Sequence, residues 1–426
     1  MKYTRTTLKN GLRLITAPMD NNPTVTVLVG VGTGAFYETA RQAGISHFLE
    51  HMCFKGTTKR PTPTAISIEL DSMGAGYNAS TSREVTNFYV KADAKHFEKV
   101  GDVVADIYLN SIFPEAEIEK EKGVVCGEID MYADEPQEKI ADALRIHMYK
   151  GEQAERDVLG SKETVRAVTR ADLLAYRDSQ YKASNTVIAI AGGVSEAAMM
   201  AWAEKTFGSL ADGDIVPENP THDREQASPE TVFIDKDTDQ AHIIMAWRAF
   251  NRNHPDRFII SLLTTILRGG MSSRLFVKLR EELGSGYYIG AGPHAYHSFG
   301  AYMVSTGTTA DRVPEIVSAI RAEIQKLRTT PVSAAELDKA KEIKRARRLM
   351  SLETSDDIAD FLADQELLED KIRTSEEFDA IYAAITAKDI LRVANDLFND
   401  NKLTVAVIGN KLDKEAITQV SKAVTP

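Results

Sequence analysis

His47, Glu50 and His51 are the residues of this chain best spaced to do chemistry together. On a helix, positions i and i+4 share a face about one turn apart. Two imidazoles at 47 and 51 can therefore take two corners of a tetrahedral zinc site. Glu50 stands beside them and can take a proton from a water held there. The order is His-x-x-Glu-His, the reverse of the commoner His-Glu-x-x-His. Taken alone, it is also what a helix with two histidines by coincidence would show. A catalytic zinc needs a third protein ligand and an open position. The acidic run over 115–128 offers several glutamates. Glu121 and Glu128 are seven apart, two turns, and share a face, while Val124 and Val125 give that helix an apolar side. Most glutamates in such a run form a solvated face, and composition alone does not choose among them. Cys53 and Cys126 lie two positions from His51 and Glu128. That offset points away from the ligand face, so both read as small buried apolar residues.

The elements that must position these residues can be read from periodicity. Strand-like alternation over 12–16 and 24–31 precedes a helix over 47–54. A helix over 65–73 ends at Gly74 and Gly76. Strand-like residues run from Tyr77 to Val90, and helices are expected near 94–111, 115–133 and 137–148. A strand at 186–192 and a helix through Phe207 close the first half. Residues 211–230, with Gly213, Pro217, Pro220 and Pro229, read as a linker between a first domain, 1–210, and a second, 231–426. The pattern then restarts, with strands at 232–234 and 242–247, helices near 255–267 and 272–282, strands at 287–292 and 300–307, and helices at 311–328 and 334–348. Thr186 to Ile190 matches Thr404 to Ile408 at an offset of 218 residues, and each is followed by a helix. The echo predicts a duplicated α+β architecture, each copy a mostly antiparallel sheet with helices packed on it.

Composition bounds the function. With 426 residues the chain exceeds one ordinary core. It is 43% hydrophobic and 27% charged, as soluble globular proteins are, and its net charge of -11 argues against nucleic acid as the main partner. Two cysteines exclude a disulfide scaffold and fit a reducing compartment. The first eight residues lack an apolar signal core, and no run reaches the roughly 18 apolar residues that cross a bilayer. The expectation is a cytoplasmic protein that does not enter membranes.

His47-Phe48-Leu49-Glu50-His51-Met52 with Phe54-Lys55-Gly56-Thr57 resembles the inverted-motif zinc peptidases of the insulinase, pitrilysin and mitochondrial-processing-peptidase family (M16). The resemblance spans nearly the whole chain. In that family the third ligand is a glutamate 77 positions after the second histidine, which here is Glu128. A supporting glutamate seven positions earlier falls on Glu121. Many relatives carry Glu-Glu where this chain has Gly127-Glu128, and the ligand position is kept. The resemblance implies that 76–82 is a substrate-binding edge strand to which extended peptides add by backbone pairing, through Asn78, Ala79 and Ser80, with Asn78 and Ala79 nearest the metal. By itself Asn78 reads as a turn residue. Residues 269–276 look like the family's signature in the second domain, and its Arg and Tyr, seven apart, fall on Arg280 and Tyr287. Relatives often read Arg-Gly-Leu-Ala-Tyr there, and this chain reads Leu283-Gly284-Ser285-Gly286-Tyr287. Without the family, Arg280 reads as a surface helix charge.

The resemblance thus implies a short, single-half member. His47, His51 and Glu128 would hold one zinc per chain, with Glu50 as general base. Tyr287 would stabilise the oxyanion, Arg280 would anchor substrate, and Glu121 would orient a ligand. Substrates would be peptides or unfolded segments. Longer members form a hollow clamshell of four such domains. A chain with half of them implies a homodimer, in which the second domain of one subunit faces the zinc domain of the other. The competing expectation is a non-catalytic partner subunit on the same fold.

Overall fold

Strand Thr186–Gly192 is buried along its whole length, and it reads accordingly as one apolar run, as a strand covered on both faces does. The computed structural model describes residues 2–222, 226–286, 288–369 and 371–422. Its first sheet holds β1 (Thr4–Thr7), β2 (Arg13–Pro18), β3 (Thr24–Val31), β4 (Gly76–Thr81), β5 (Thr86–Asp93) and β6 (Thr186–Gly192), in the order β1-β2-β6-β3-β5-β4. The second holds β7 (Glu230–Asp235), β8 (Ala241–Ala249), β9 (Ile289–Ala295), β10 (Gly300–Thr308) and β11 (Leu403–Gly409), in the order β7-β11-β8-β10-β9. Within each sheet one pair is parallel, β2 with β6 and β7 with β11, and the rest are antiparallel. From β2 onward the two orders are the same, so the α+β fold is present twice.

The register of the repeat differs by one residue from the sequence match. Ile188 and Ile190 face the main core of the first sheet, and Val187 and Ala189 face the other side. In β11 the residues facing the main core are Leu403, Val405 and Val407. The faces therefore agree at an offset of 217, not 218. The Thr-Val pairs that look alike point to opposite sides, because a one-residue slip exchanges the faces of a strand.

Two compact units contain these sheets. The first comprises Met1–Asp130, Arg156–Asn219 and Leu349–Thr374, and the second Met131–Glu155, Pro220–Arg348 and Ser375–Pro426. They follow the two halves of the chain except at two segments. Helix Ser355–Leu368, from the second half, lies on β2, β3 and β6. There Ile358, Ala359, Leu362 and Ala363 meet Ile15, Leu28 and Ala189. Helix Pro136–Met148, from the first half, lies on β7, β8 and β11. The middle strands of each sheet are thereby covered on both faces.

Two further elements depart from expectation. Tyr77 to Val90 is not one strand but the hairpin β4–β5. Ser82 makes its turn, accepting from the amides of Glu84 and Val85 through Oγ, at 3.3 and 3.0 Å. The helix expected over 272–282 is α-helical only at Arg274–Phe276 and continues as a π-helical turn over Val277–Glu282. Among the described residues no helix is long and apolar enough to cross a membrane.

Candidate metal centre

Helix Ile45–Cys53 is short, and its two faces explain the site. Ile45, Phe48, Leu49, Met52 and Cys53 follow the i, i+3, i+4, i+7, i+8 pattern and are all within 1% of complete burial. They join Val27, Val29 and Phe88 in the core of the first unit. Emptying the Phe48 position would cost about 3–5 kcal/mol. This packing leaves 47, 50 and 51 on the opposite stripe. Cys53, in the packed stripe, is a free buried thiol raised to about 12 by burial. It is not placed to ligate.

The start of this helix is built by residues that periodicity does not reveal. The buried Glu38 carboxylate accepts the amides of Gly44 and Ser46 at 2.8 Å each, satisfying donors that a helix N-terminus leaves unpaired. Burial still pushes Glu38 up to about 7. Gly44 has φ 89°, and a Cβ there would meet the Leu159 carbonyl oxygen at 2.4 Å. Only glycine fits both demands.

His47, His51 and Glu128 come together. Each offers one ligand atom, and the three atoms lie within 4.8 Å of one another. The Nε2 atoms of His47 and His51 are each 3.8 Å from Glu128 Oε2. Glu128 is carried by helix Glu115–Asp134, which also carries Glu121. His51 Nδ1 lies 2.8 Å from Glu121 Oε1, and Lys55 Nζ lies 2.7 Å from Glu121 Oε2. A carboxylate can only accept, so Nδ1 carries the proton and Nε2 keeps its lone pair toward Glu128. Burial opposes a charged His51, but the bond and charge of Glu121 outweigh it and raise the pKa of the imidazole. Glu121 is held low by its bonds from His51 and Lys55 in spite of its burial. His47 is pushed down to about 4 by burial and then by the charge of His51. It is neutral at physiological pH, so its contact with Glu128 is not an ion pair.

These donors fit a divalent zinc ion. Two imidazole nitrogens and a carboxylate oxygen form a known catalytic zinc set, and tetrahedral ligands at about 2.0–2.1 Å stand roughly 3.3 Å apart. The 3.8 Å separations need a contraction of about half an ångström. Glu50 is oriented separately. Its Oε2 accepts the Thr81 hydroxyl at 2.5 Å, and burial raises its pKa against that bond.

The remaining expected site residues fall as follows. Asn78, Ala79 and Ser80 lie on β4, an edge strand paired only with β5. Asn78 and Ser80 are exposed, while Tyr77 and Ala79 pack on the core and Thr81 on their face reaches Glu50. The Asn78 side chain accepts the Ala79 amide at 3.0 Å. Arg280 lies in the second unit, exposed on the π-helical turn. Tyr287 lies outside the described residues. Thr81, Lys55 and Glu38 were not singled out for these roles from sequence. Only Lys55 had a sequence cue, its place i+4 from His51 on the ligand stripe.

Known proteins match along both halves. Residues 13–162 match the family model "Insulinase (Peptidase family M16)", and 167–344 match "Peptidase M16 inactive domain". An "uncharacterized zinc protease" of Rickettsia felis is 33% identical over 403 residues, covering 94% of this chain and 96% of that protein. A "probable mitochondrial-processing peptidase subunit beta" of Schizosaccharomyces pombe is 31% identical over 432 residues, covering 96% and 92%. The crystal structure of a protease from Helicobacter pylori superimposes with a TM-score of 0.88 at 22% identity, covering 96% and 99%. The same fold, near full-length identity above 30% and the inverted motif agree that this chain belongs to the M16 family of zinc peptidases.

Proposed function

We propose that this chain is a zinc-dependent endopeptidase, with its reaction centre in the first domain and the substrate-binding Arg280 and Tyr287 in the second. The convergence of His47, His51 and Glu128 beside Glu50 carries the reading. Zinc, when bound, supplies Lewis acidity and brings the pKa of water toward neutrality. His47, His51 and Glu128 hold it, and Glu121 keeps the His51 lone pair aimed at it. Glu50 takes a proton from the attacking water and returns it to the leaving amine. Thr81 occupies Oε2 of Glu50, which leaves Oε1 to accept that proton. Burial makes Glu50 a stronger base than an exposed glutamate. Edge strand β4 pairs with an extended substrate through its backbone, along Asn78, Ala79 and Ser80. Tyr287 stabilises the oxyanion, and Arg280 anchors the chain. Both motif sets lie in one polypeptide, which supports a homodimer with a shared chamber and admission of peptides or unfolded segments. The two free buried cysteines fit a reducing, cytoplasmic setting.

Digestion of a peptide library, with a chelator control, tests the reading. Glu50→Gln should keep zinc and lose about 10²–10⁴ of the rate. A variant that binds zinc and cleaves normally overturns the role of Glu50. Inert zinc-loaded wild type favours the partner-subunit reading. Mixing Glu50→Gln with Tyr287→Phe chains should recover activity if the second domain acts across the dimer, and no recovery counts against that arrangement.

A further inference from the structure

A cleft of about 440 Å³ in the second unit is lined by Arg268, Arg280 and Arg347, with Phe276, Met271 and Tyr288 beside them. All three arginines are exposed. None has a carboxylate within ion-pair distance among the described residues. The neighbouring cations show the contrast. Arg274 is bonded to Glu336 at 2.7 Å, and Lys278 to Glu282 at 2.8 Å. Backbone oxygens orient two of the three guanidinium groups. Arg268 donates Nε–H to the Ile289 carbonyl at 3.0 Å, which leaves both its Nη groups free. Arg347 donates through Nη2 to the Gly269 carbonyl, leaving Nε and Nη1. Lys344, one turn from Arg348 on the same helix, is held below its usual range by burial and by Arg347 and Arg348. Positive charge is thus gathered at the cleft, in a chain whose net charge is -11, while the nearby Glu336 and Asp379 are paired with Arg274 and Arg348.

We propose that this cleft binds a carboxylate of the peptide substrate, with Arg268 and Arg347 as specificity-determining residues. A guanidinium fork with two free N–H edges matches a carboxylate in a bidentate pair. The cleft also carries apolar side chains beside its charges, which a bare inorganic ion would not use. Met271 is 78% exposed, and with Phe276 and Tyr288 it offers a surface for the side chain that accompanies the carboxylate. That group is the peptide's C-terminus or an Asp or Glu side chain. The identification of the ligand as substrate rests on the peptidase reading, and the test separates the two.

The test uses full-length Glu50→Gln protein with chelator, so that binding is read without turnover. Four rhodamine-labelled peptides of one sequence end in acid or amide and carry an internal Glu or Gln. Their dissociation constants are measured by anisotropy at fixed ionic strength. Replacing the recognised carboxylate should weaken binding about tenfold, and which replacement does so identifies the source. Arg268→Gln with Arg347→Gln should erase the difference at an unchanged thermal midpoint, since both side chains are exposed. Arg347→Glu should instead bind a fifth peptide, amidated and ending in lysine, more tightly than the parent protein does. Equal binding of all four peptides overturns the proposal. So does a result in which inorganic phosphate raises the midpoint of the parent but not of the double variant while the peptides bind alike. Failure of zinc-dependent cleavage would sink the peptidase reading without altering these binding comparisons.

Discussion

Glu121 should govern zinc affinity without touching the metal. Its carboxylate is 5% exposed, 2.8 Å from His51 Nδ1 and 2.7 Å from Lys55. It fixes the ring tautomer and makes Nε2 more electron-rich. Loss of such a supporting partner costs 10–100-fold in metal affinity, or about 1.4–2.8 kcal/mol. Two variants divide that range. In Glu121→Gln a neutral hydrogen bond replaces a charge-assisted one, a loss of about 1 kcal/mol and somewhat under tenfold. In Glu121→Ala the Nδ1–H is left without a partner, and the loss approaches 100-fold. The deficit should also depend on pH. In the parent, Glu121 raises the pKa of His51, so protons compete with zinc as pH falls through that raised value. In the variants that support is gone, burial prevails, and proton competition begins at lower pH. The affinity ratio of parent to variant should therefore be largest above neutrality and shrink toward pH 5.5. Zinc competition with a chromophoric chelator at four pH values measures it. A Glu121→Ala protein that binds zinc within twofold of the parent at every pH would refute the account.

Other substitutions probe the same shell and its support. In Thr81→Val, Glu50 loses the hydrogen bond that lowers its pKa, so the acidic limb of the kcat/KM profile should move to higher pH; an unmoved limb means the contact is idle. Glu38 stands at about 7 against an ordinary 4.5. The folded chain holds that proton more tightly, so stability from this group is greatest below 4.5 and falls as pH rises to 7, by on the order of 3 kcal/mol. Urea unfolding at pH 5 and 8 should show a smaller decline in Glu38→Gln than in the parent; equal declines would contradict the assignment. A Cβ at Gly101 would meet the Trp202 ring at 2.5 Å, so Gly101→Ala should lose about 1–3 kcal/mol in thermal unfolding.

The metal face was legible because one helix holds it. Five apolar positions dictate which way Ile45–Cys53 turns, and the remaining stripe must carry His47, Glu50 and His51. Glu128 was legible only through a resemblance, since the acidic helix offers several glutamates with the same local pattern. Glu38 and Thr81 left no sequence signal, because their partners are six to eight and 31 residues away, outside any helical or strand period. The β4–β5 hairpin read as one strand because its turn is made by the Ser82 hydroxyl rather than by Gly or Pro. Helix Ser355–Leu368 escaped for a different reason. It is amphipathic toward a sheet built from the other half of the chain, a pairing with no counterpart in local periodicity.

Among the described residues, three candidate metal ligands gather in the first half alone, and the repeat shows why. Helix Ile45–Cys53 follows β3 and precedes β4. In the repeat, Arg257–Arg268 follows β8 and precedes β9. That helix has no His, Cys, Asp or Glu, and its buried residues include Ile259, Ile260, Leu262, Leu263, Ile266 and Leu267. The acidic helix Glu115–Asp134 has its counterpart in Ala334–Met350, which ends in Arg345, Arg347 and Arg348. The model label "Peptidase M16 inactive domain" falls on 167–344, a span that contains neither His47, His51 nor Glu128. That span takes in the end of the first unit, up to Asn219, as well as much of the second, so the label does not single out one copy. The corresponding pair of helices in the second unit instead supplies Arg268 and Arg347 to one cleft. The same arrangement of two helices beside a sheet thus presents carboxylate and imidazole in the first copy and guanidinium in the second. The first is chemically suited to a cation and the second to an anion.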